Sequence, residues 1–196
     1  ATRHQEKNIC TIGWVGVGKA QYKAGNFTIL KQAFDMLAKS GARFRFVVIG
    51  AEEYQPLKDF FRGASYEVYF VDDADWSDPK TVPQLIATWQ FDVGVMPLQD
   101  TAFTRAKCAF KAIEYMACGV PVVSSPVGEA NYVIKNGVNG FLANSSEEWV
   151  SAFSLLARDA GLRQQMGDAG QKLVQEQYSF QTIISHIHDK FVKLHK

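Results

Sequence analysis

The sequence carries no surplus of charge of either sign. Lys and Arg total 21 and Asp and Glu total 20, which leaves a formal charge of +1. A broad basic field of the kind that holds nucleic acid is excluded, and no nucleic-acid partner is expected. Cysteine is scarce. Cys10, Cys108 and Cys118 form an odd set with no disulfide framework and no zinc spacing, so a reducing, cytoplasmic setting is expected. No apolar run approaches the roughly 20 residues of a membrane-spanning helix. The first residues, ATRHQEK, are polar and do not read as a signal peptide. Internal repeats, low-complexity segments and charged tails are lacking too. What is there is globular in composition: 196 residues, 47% hydrophobic and 21% charged, enough for one domain with a substantial core. Residues 1–8 read as a polar tail and 9–196 as a single domain. The chain lacks an initiator Met and reads as a piece of a longer protein.

Short apolar runs alternate with helical periods. Strands are predicted over residues 9–17 (ICTIGWVGV), 44–49 (FRFVVI), 66–71 (YEVYFV), 91–98 (FDVGVMPL), 120–124 (VPVVS) and 139–143 (NGFLA). Helices are predicted over 26–38, with Phe27, Leu30, Phe34 and Leu37 on one face, and over 56–61. A further helix is expected from Asp78 as cap and Pro79 as first residue through Trp89. Another runs over 104–118 and stops at Gly119. Beyond Asn144 the pattern is purely helical, starting at Ser145 and Ser146 and continuing over 162–175 and 180–194. Strand then helix, repeated, means an α/β fold: a Rossmann-like parallel sheet of about six strands flanked by helices, with a helical C-terminal segment.

Two places invite chemistry. The turn Gly13-Trp14-Val15-Gly16-Val17-Gly18-Lys19-Ala20 nearly spells a Walker A loop. That motif needs Ser or Thr where Ala20 stands and a helix beginning there, whereas the next helix is predicted near Asn26. It fits no dinucleotide fingerprint either, since the third glycine falls at Gln21. A plain tight turn and a phosphate-facing loop with Lys19 and Lys23 beside it both remain open. The second place is the helix over 104–118. Ala106, Phe110, Ile113 and Ala117 make its expected core stripe, and Lys107, Lys111 and Glu114 a polar stripe. Basic groups at its N-terminal half favour a bound phosphate, and Glu114 suits two sugar hydroxyls. The plain alternative is a Lys111–Glu114 surface pair. Asp72, Asp73 and Asp75 read as a solvated capping loop rather than a metal site, with Trp76 beside them in reach of a base. Asp100 and Glu129 flank the key helix as possible site carboxylates. His4, His186, His188 and His195 carry no expected role, and no metal or other cofactor is expected.

The stretch FDVGVMPLQDTAFTRAKCAFKAIEYMACGVPVVSSPVGEANYVIKNGVNGFLA resembles the C-terminal nucleotide-binding domain of retaining GT-B glycosyltransferases, the glycosyl transferases group one family. The opening IGWVGVGKAQYKAGNFTILKQAFDML is similar to that family's first strand, basic loop and first helix. The resemblance implies that Glu114 holds the ribose hydroxyls and that backbone N–H groups around Cys108, Ala109 and Phe110 hold the diphosphate. It implies further donor contacts from Gly16, Val17, Lys19, Lys23, Lys107 and Lys111. Two departures stand out: Ala106 replaces the family's first glutamate, and Val17 replaces an arginine of the first loop.

The resemblance also implies a function. The chain is expected to bind a UDP- or GDP-sugar without metal, as one half of a hexosyltransferase whose acceptor and main catalytic groups lie in an N-terminal domain outside these residues. Membrane association is expected only through that other half, and the fragment by itself is expected to be inactive. A flavodoxin-like or receiver-like binding domain, a P-loop phosphotransferase and half of a GT-B epimerase are the rival readings.

Overall fold

The computed structural model describes residues 9–194. Six strands form one sheet in the order β3-β2-β1-β4-β5-β6, every neighbouring pair parallel. They are β1 (Cys10–Val15), β2 (Phe44–Ile49), β3 (Glu67–Val71), β4 (Val93–Met96), β5 (Val122–Ser124) and β6 (Gly140–Leu142). Strands β1, β4 and β5 are buried along their whole length, as their unbroken apolar runs require when both faces are covered. The order reverses between β1 and β4. Ligands of such sheets sit beyond the C-terminal strand ends at that switch point.

The helices follow as α1 (Gly18–Lys23), α2 (Asn26–Lys39), α3 (Gln55–Phe60), α4 (Thr81–Thr88), α5 (Ala102–Arg105), α6 (Phe110–Ala117), α7 (Ala130–Val133), α8 (Ser146–Arg158), α9 (Ala160–Gln177) and α10 (Phe180–Leu194). One layer packs α2 and α8 on the sheet through Trp14, Phe27, Leu30, Phe34, Phe46, Trp149 and Phe153. The predicted apolar face of α2 is that buried face. Helix α8 begins where its sequence says: Ser145 accepts from Glu148 N, and the Glu148 carboxylate accepts from Ser145 N, a reciprocal capping box. The other layer packs α4 and α6 through Ile86, Ala112, Tyr115 and Met116.

Two mid-strand glycines make room for rings in this second layer. A Cβ on Gly13 would fall 1.9 Å from the Phe91 ring, and one on Gly94 would fall 2.5 Å from the Tyr115 ring. At the N-terminal edge of the sheet, Asp92 accepts from Thr11 N at 2.9 Å and faces Arg163 of α9 at 3.5 Å, both side chains almost wholly buried. Arg163 also donates to Leu156 O at 2.6 Å, so the pair ties α8 and α9 to the sheet on the side away from the strand C-termini.

Three predicted elements are corrected. The helix expected from Asp78 begins at Thr81, because Asp78 is taken up in a turn, its carboxylate accepting from Lys80 N at 2.9 Å. A helix expected only near Asn26 is preceded by α1, which starts at Gly18. The single helix over 104–118 is two helices, α5 and α6, separated by residues 106–109.

Candidate functional site

The break between α5 and α6 creates the site. Thr101 opens α5 with a capping box to Thr104, whose hydroxyl also donates to Gln99 O at 2.5 Å. Asp100 grips Arg105 with two hydrogen bonds, at 2.6 and 3.0 Å. The chain then turns, and α6 starts at Phe110 with Ala109 as a cap that offers no side-chain oxygen. The first intrahelical bond runs from Ile113 N to Ala109 O. The N–H groups of Phe110, Lys111 and Ala112 therefore open the helix without an intrahelical carbonyl. Lys107 and Cys108 lie in the turn, not on the helix, so the expected polar stripe reduces to Lys111 and Glu114.

The expected core stripe is also corrected. Ala106, Phe110 and Ala117 are exposed, Phe110 at 63%, while Ala109, Ala112, Tyr115 and Met116 are buried. The buried face is displaced because Tyr115 seeks the space above Gly94 and the backbone of β1. Its hydroxyl accepts from Val15 N at 2.9 Å, and burial pushes the phenol far above its ordinary range, so it stays protonated.

That seating turns Lys111 toward the end of β1. A Cβ on Gly16 (φ +147°) would lie 2.9 Å from Lys111 Cε and 3.1 Å from its Nζ. The ammonium stands 5.7 Å from the centre of the Trp14 ring. The long stem of Lys111 thus crosses the bare glycine backbone, which no larger residue at 16 would allow. Burial, with the charge of Lys107 beside it, holds Lys111 below the ordinary lysine range, opposed by Glu114 and Cys108. Glu114, one turn on and half-buried, is pushed up by burial, with Lys111 pulling the other way. A half-buried cation thus stands beside the first turn of α6.

A cavity of about 420 Å³ brings Lys111 and Lys107 together; Glu114 and Gly16 do not line it. Trp14, Met96 and Leu98 form its apolar side, and Gln21, Lys107, Cys108, Phe110 and Lys111 its polar side and rim. Gln21 is held by donating to Pro97 O at 2.8 Å, and Asn26 fixes the facing loop by accepting from Gln99 N at 2.7 Å. Lys107 is steadied by the Phe103 ring, 4.8 Å from its ammonium.

Other sequence candidates fall elsewhere. Gly16 lies against Lys111, and the exposed Val17 caps α1. Lys19 leans over Tyr54 at 5.7 Å, its backbone N–H toward Glu52, and Lys23 ends α1 in solvent; neither lines the cavity. Asp72 of the loop expected to be solvated and capping accepts instead from Glu53 N and Lys58, each at 2.9 Å, and its side chain is largely covered. Among the described residues no group of three or more His, Cys, Asp or Glu is placed to hold a metal. His4 and His195 lie outside the described residues. No described helix is long and apolar enough to cross a membrane.

Comparison with known proteins bears on the family and the fold. Residues 10–159 match the family described as Glycosyl transferases group 1. The D-inositol 3-phosphate glycosyltransferase of Pseudarthrobacter chlorophenolicus is 35% identical over 108 residues, covering 50% of this chain and 24% of that protein. Sucrose-phosphate synthase of Thermosynechococcus elongatus superposes with a TM-score of 0.71 at 18% identity, covering 94% of this chain and 45% of that one. HepE of Anabaena, solved in complex with UDP-glucose, superposes with a TM-score of 0.68 at 17% identity, covering 95% of this chain and 49% of that one. The chain spans less than half the length of each. The shared fold is the Rossmann-like parallel sheet expected from the sequence.

Proposed function

The chain belongs to the group 1 glycosyl transferases, and from that premise we propose that its cavity takes the diphosphate of a nucleotide-sugar donor. The observation that carries this reading is the meeting of Lys111, Lys107 and the start of α6 in one partly apolar cavity. A nucleoside diphosphate is a poor leaving group until its charge is balanced. Fixed donors and a half-buried lysine do this with little reorganisation as the sugar–oxygen bond breaks. Helix dipole and lysine charges act in the same direction. Glu114, in its raised-pKa setting, accepts the ribose hydroxyls.

In this reading the donor is UDP- or GDP-linked, which the HepE complex with UDP-glucose supports. The charge is balanced by protein groups alone, without a divalent cation. The acceptor and the remaining catalytic groups belong to a second domain, and transfer proceeds with retention at the anomeric carbon. A cytoplasmic setting, in which exposed Cys108 stays reduced, goes with it.

Titration calorimetry of the 196-residue chain tests the proposal. UDP or GDP should bind equally in EDTA and in magnesium. Lys111→Ala should weaken the diphosphate by about 1–3 kcal/mol and the plain nucleoside much less. Equal losses for both ligands, or binding abolished by EDTA, would overturn it.

A further inference from the structure

We propose that Asn26 is a positioning residue of the donor site: paired with Gln21, it sets the gap between the two walls of the cavity and holds the Lys107 turn in place, without lining the cavity itself; this rests on the nucleotide-sugar reading. The gap exists because β1 and β4 diverge. They pair at Ile12 with Val93 and at Gly13 with Gly94, and no further along. Beyond that point Trp14 stands on one wall, and Met96 and Leu98 stand on the other. Side chains span the opening between them. Asn26 is 0% exposed and Gln21 8%, and both reach from the helices after β1 to the loop after β4.

The direction of every bond in this tie is fixed. The Gln99 N–H can only donate, so it meets Asn26 Oδ1, at 2.7 Å. That leaves Asn26 Nδ2 to donate to Gln21 Oε1 at 3.3 Å, and Gln21 Nε2 to donate to Pro97 O at 2.8 Å. The tie continues into the site. Gln99 O accepts from the Thr104 hydroxyl, itself buried, and Thr104 O accepts from Lys107 N at 3.2 Å. Three hydrogen bonds thus lead from Asn26 to the backbone of Lys107. An Asn at a helix start ordinarily serves that helix by capping it. Asn26 does not. Gly25 holds the cap position, left-handed at φ 70°, and both ends of the Asn26 amide are committed across the opening. Two buried amides add little stability that apolar side chains of their size would not. What they add is a spacing, because a chain of hydrogen bonds is made at one separation of its walls and lost at another. A site that grips an anion gains affinity when its cationic groups are held in place before the anion arrives.

Titration calorimetry with UDP tests the assignment. Asn26→Leu keeps the bulk and removes every hydrogen bond of the amide. It should weaken UDP roughly 2- to 30-fold, the range for a residue that acts through others. Asn26→Asp, which keeps an oxygen for Gln99 N, should recover most of that loss. Circular dichroism establishes that each variant is folded at the titration temperature. Two readouts separate positioning from plain stability. Asp92→Ala destabilises from the far edge of the sheet and should leave the UDP affinity of the folded chain unchanged. On a Lys107→Ala background, Asn26→Leu should cost clearly less than it does on the wild type, because its route to the ligand ends there. If Asn26→Leu does not fold, Gln21→Met, which cuts the tie at Pro97, carries the same expectation. If UDP binds the wild-type chain and Asn26→Leu binds it as tightly, or loses as much with Lys107 gone, the positioning role is refuted while the diphosphate reading stands. If UDP does not bind the wild-type chain, both readings fail together.

Discussion

Replacing Tyr115 by Phe isolates one buried hydrogen bond on which the geometry of the site depends. Tyr115 is fully buried, and its hydroxyl is the acceptor for Val15 N at 2.9 Å. Phe keeps the ring above Gly94 and removes only the oxygen. Val15 is itself 2% exposed, and β1 pairs with β4 only at Ile12 and Gly13, so β4 supplies no replacement acceptor. A buried N–H left without a partner costs about 1–3 kcal/mol. For a domain of this size 1 kcal/mol moves the melting temperature by roughly 2–4 °C, so a loss of about 2–12 °C is expected. In urea the midpoint should fall while the slope stays the same, because the surface exposed on unfolding is unchanged. A shift smaller than about 1 °C would refute the reasoning, showing that Val15 N is satisfied elsewhere. A changed slope would refute it differently, by showing that the variant unfolds from another native state.

Four further outcomes are expected. If Lys111 holds the diphosphate as proposed, its protonated form does so, and because burial lowers its pKa the affinity should fall before the ordinary lysine range near 10.5 is reached; calorimetry across pH checks this, and Lys111→Arg should flatten the fall. Glu114 titrates above its ordinary 4.5 because burial disfavours its charge, so its stabilising contribution is full below that value and lost as pH rises through the raised one. Glu114→Gln should therefore gain stability over the wild type at neutral pH and match it in acid. The same variant should weaken a ribonucleotide while leaving its 2′,3′-dideoxy analogue unchanged. Asp92→Ala strips Arg163 of its buried carboxylate and should cost about 3–5 kcal/mol in urea unfolding, whereas Asp92→Leu with Arg163→Met should cost far less.

The strands and the long helices were legible because their patterns are strong and local. β2 lies over the residues its apolar run marks, and α2 buries the face its period marks. The break at residues 106–109 was not legible. Arg-Ala-Lys-Cys-Ala has no Gly or Pro, and its residues are compatible with a continuing helix. The interruption goes with a pull from a distant partner, Val15 N on Tyr115, and with Asp100 holding Arg105 five residues on. The only local sign was the Thr101–Thr104 box, which lacks the usual Glu or Gln at its third position. The same tertiary pull hid the direction of Lys111. Spacing places it beside Glu114, but only the fold brings it to Gly16, 95 positions away in the chain. The lysines of the first loop were singled out because charge is visible in a sequence and direction is not.

The glycine that faces Phe91 has a consequence for inheritance. With a Cβ on Gly13 falling 1.9 Å from that ring, neither position is free to change alone. A lineage that gained a side chain at 13 must first have lost bulk at 91, passing through an intermediate with a hole in the core. The two positions are read as separate letters, yet the packing between them predicts that they vary together. A relative that keeps the glycine should keep an aromatic ring opposite it, and one that has lost the glycine should carry something smaller there.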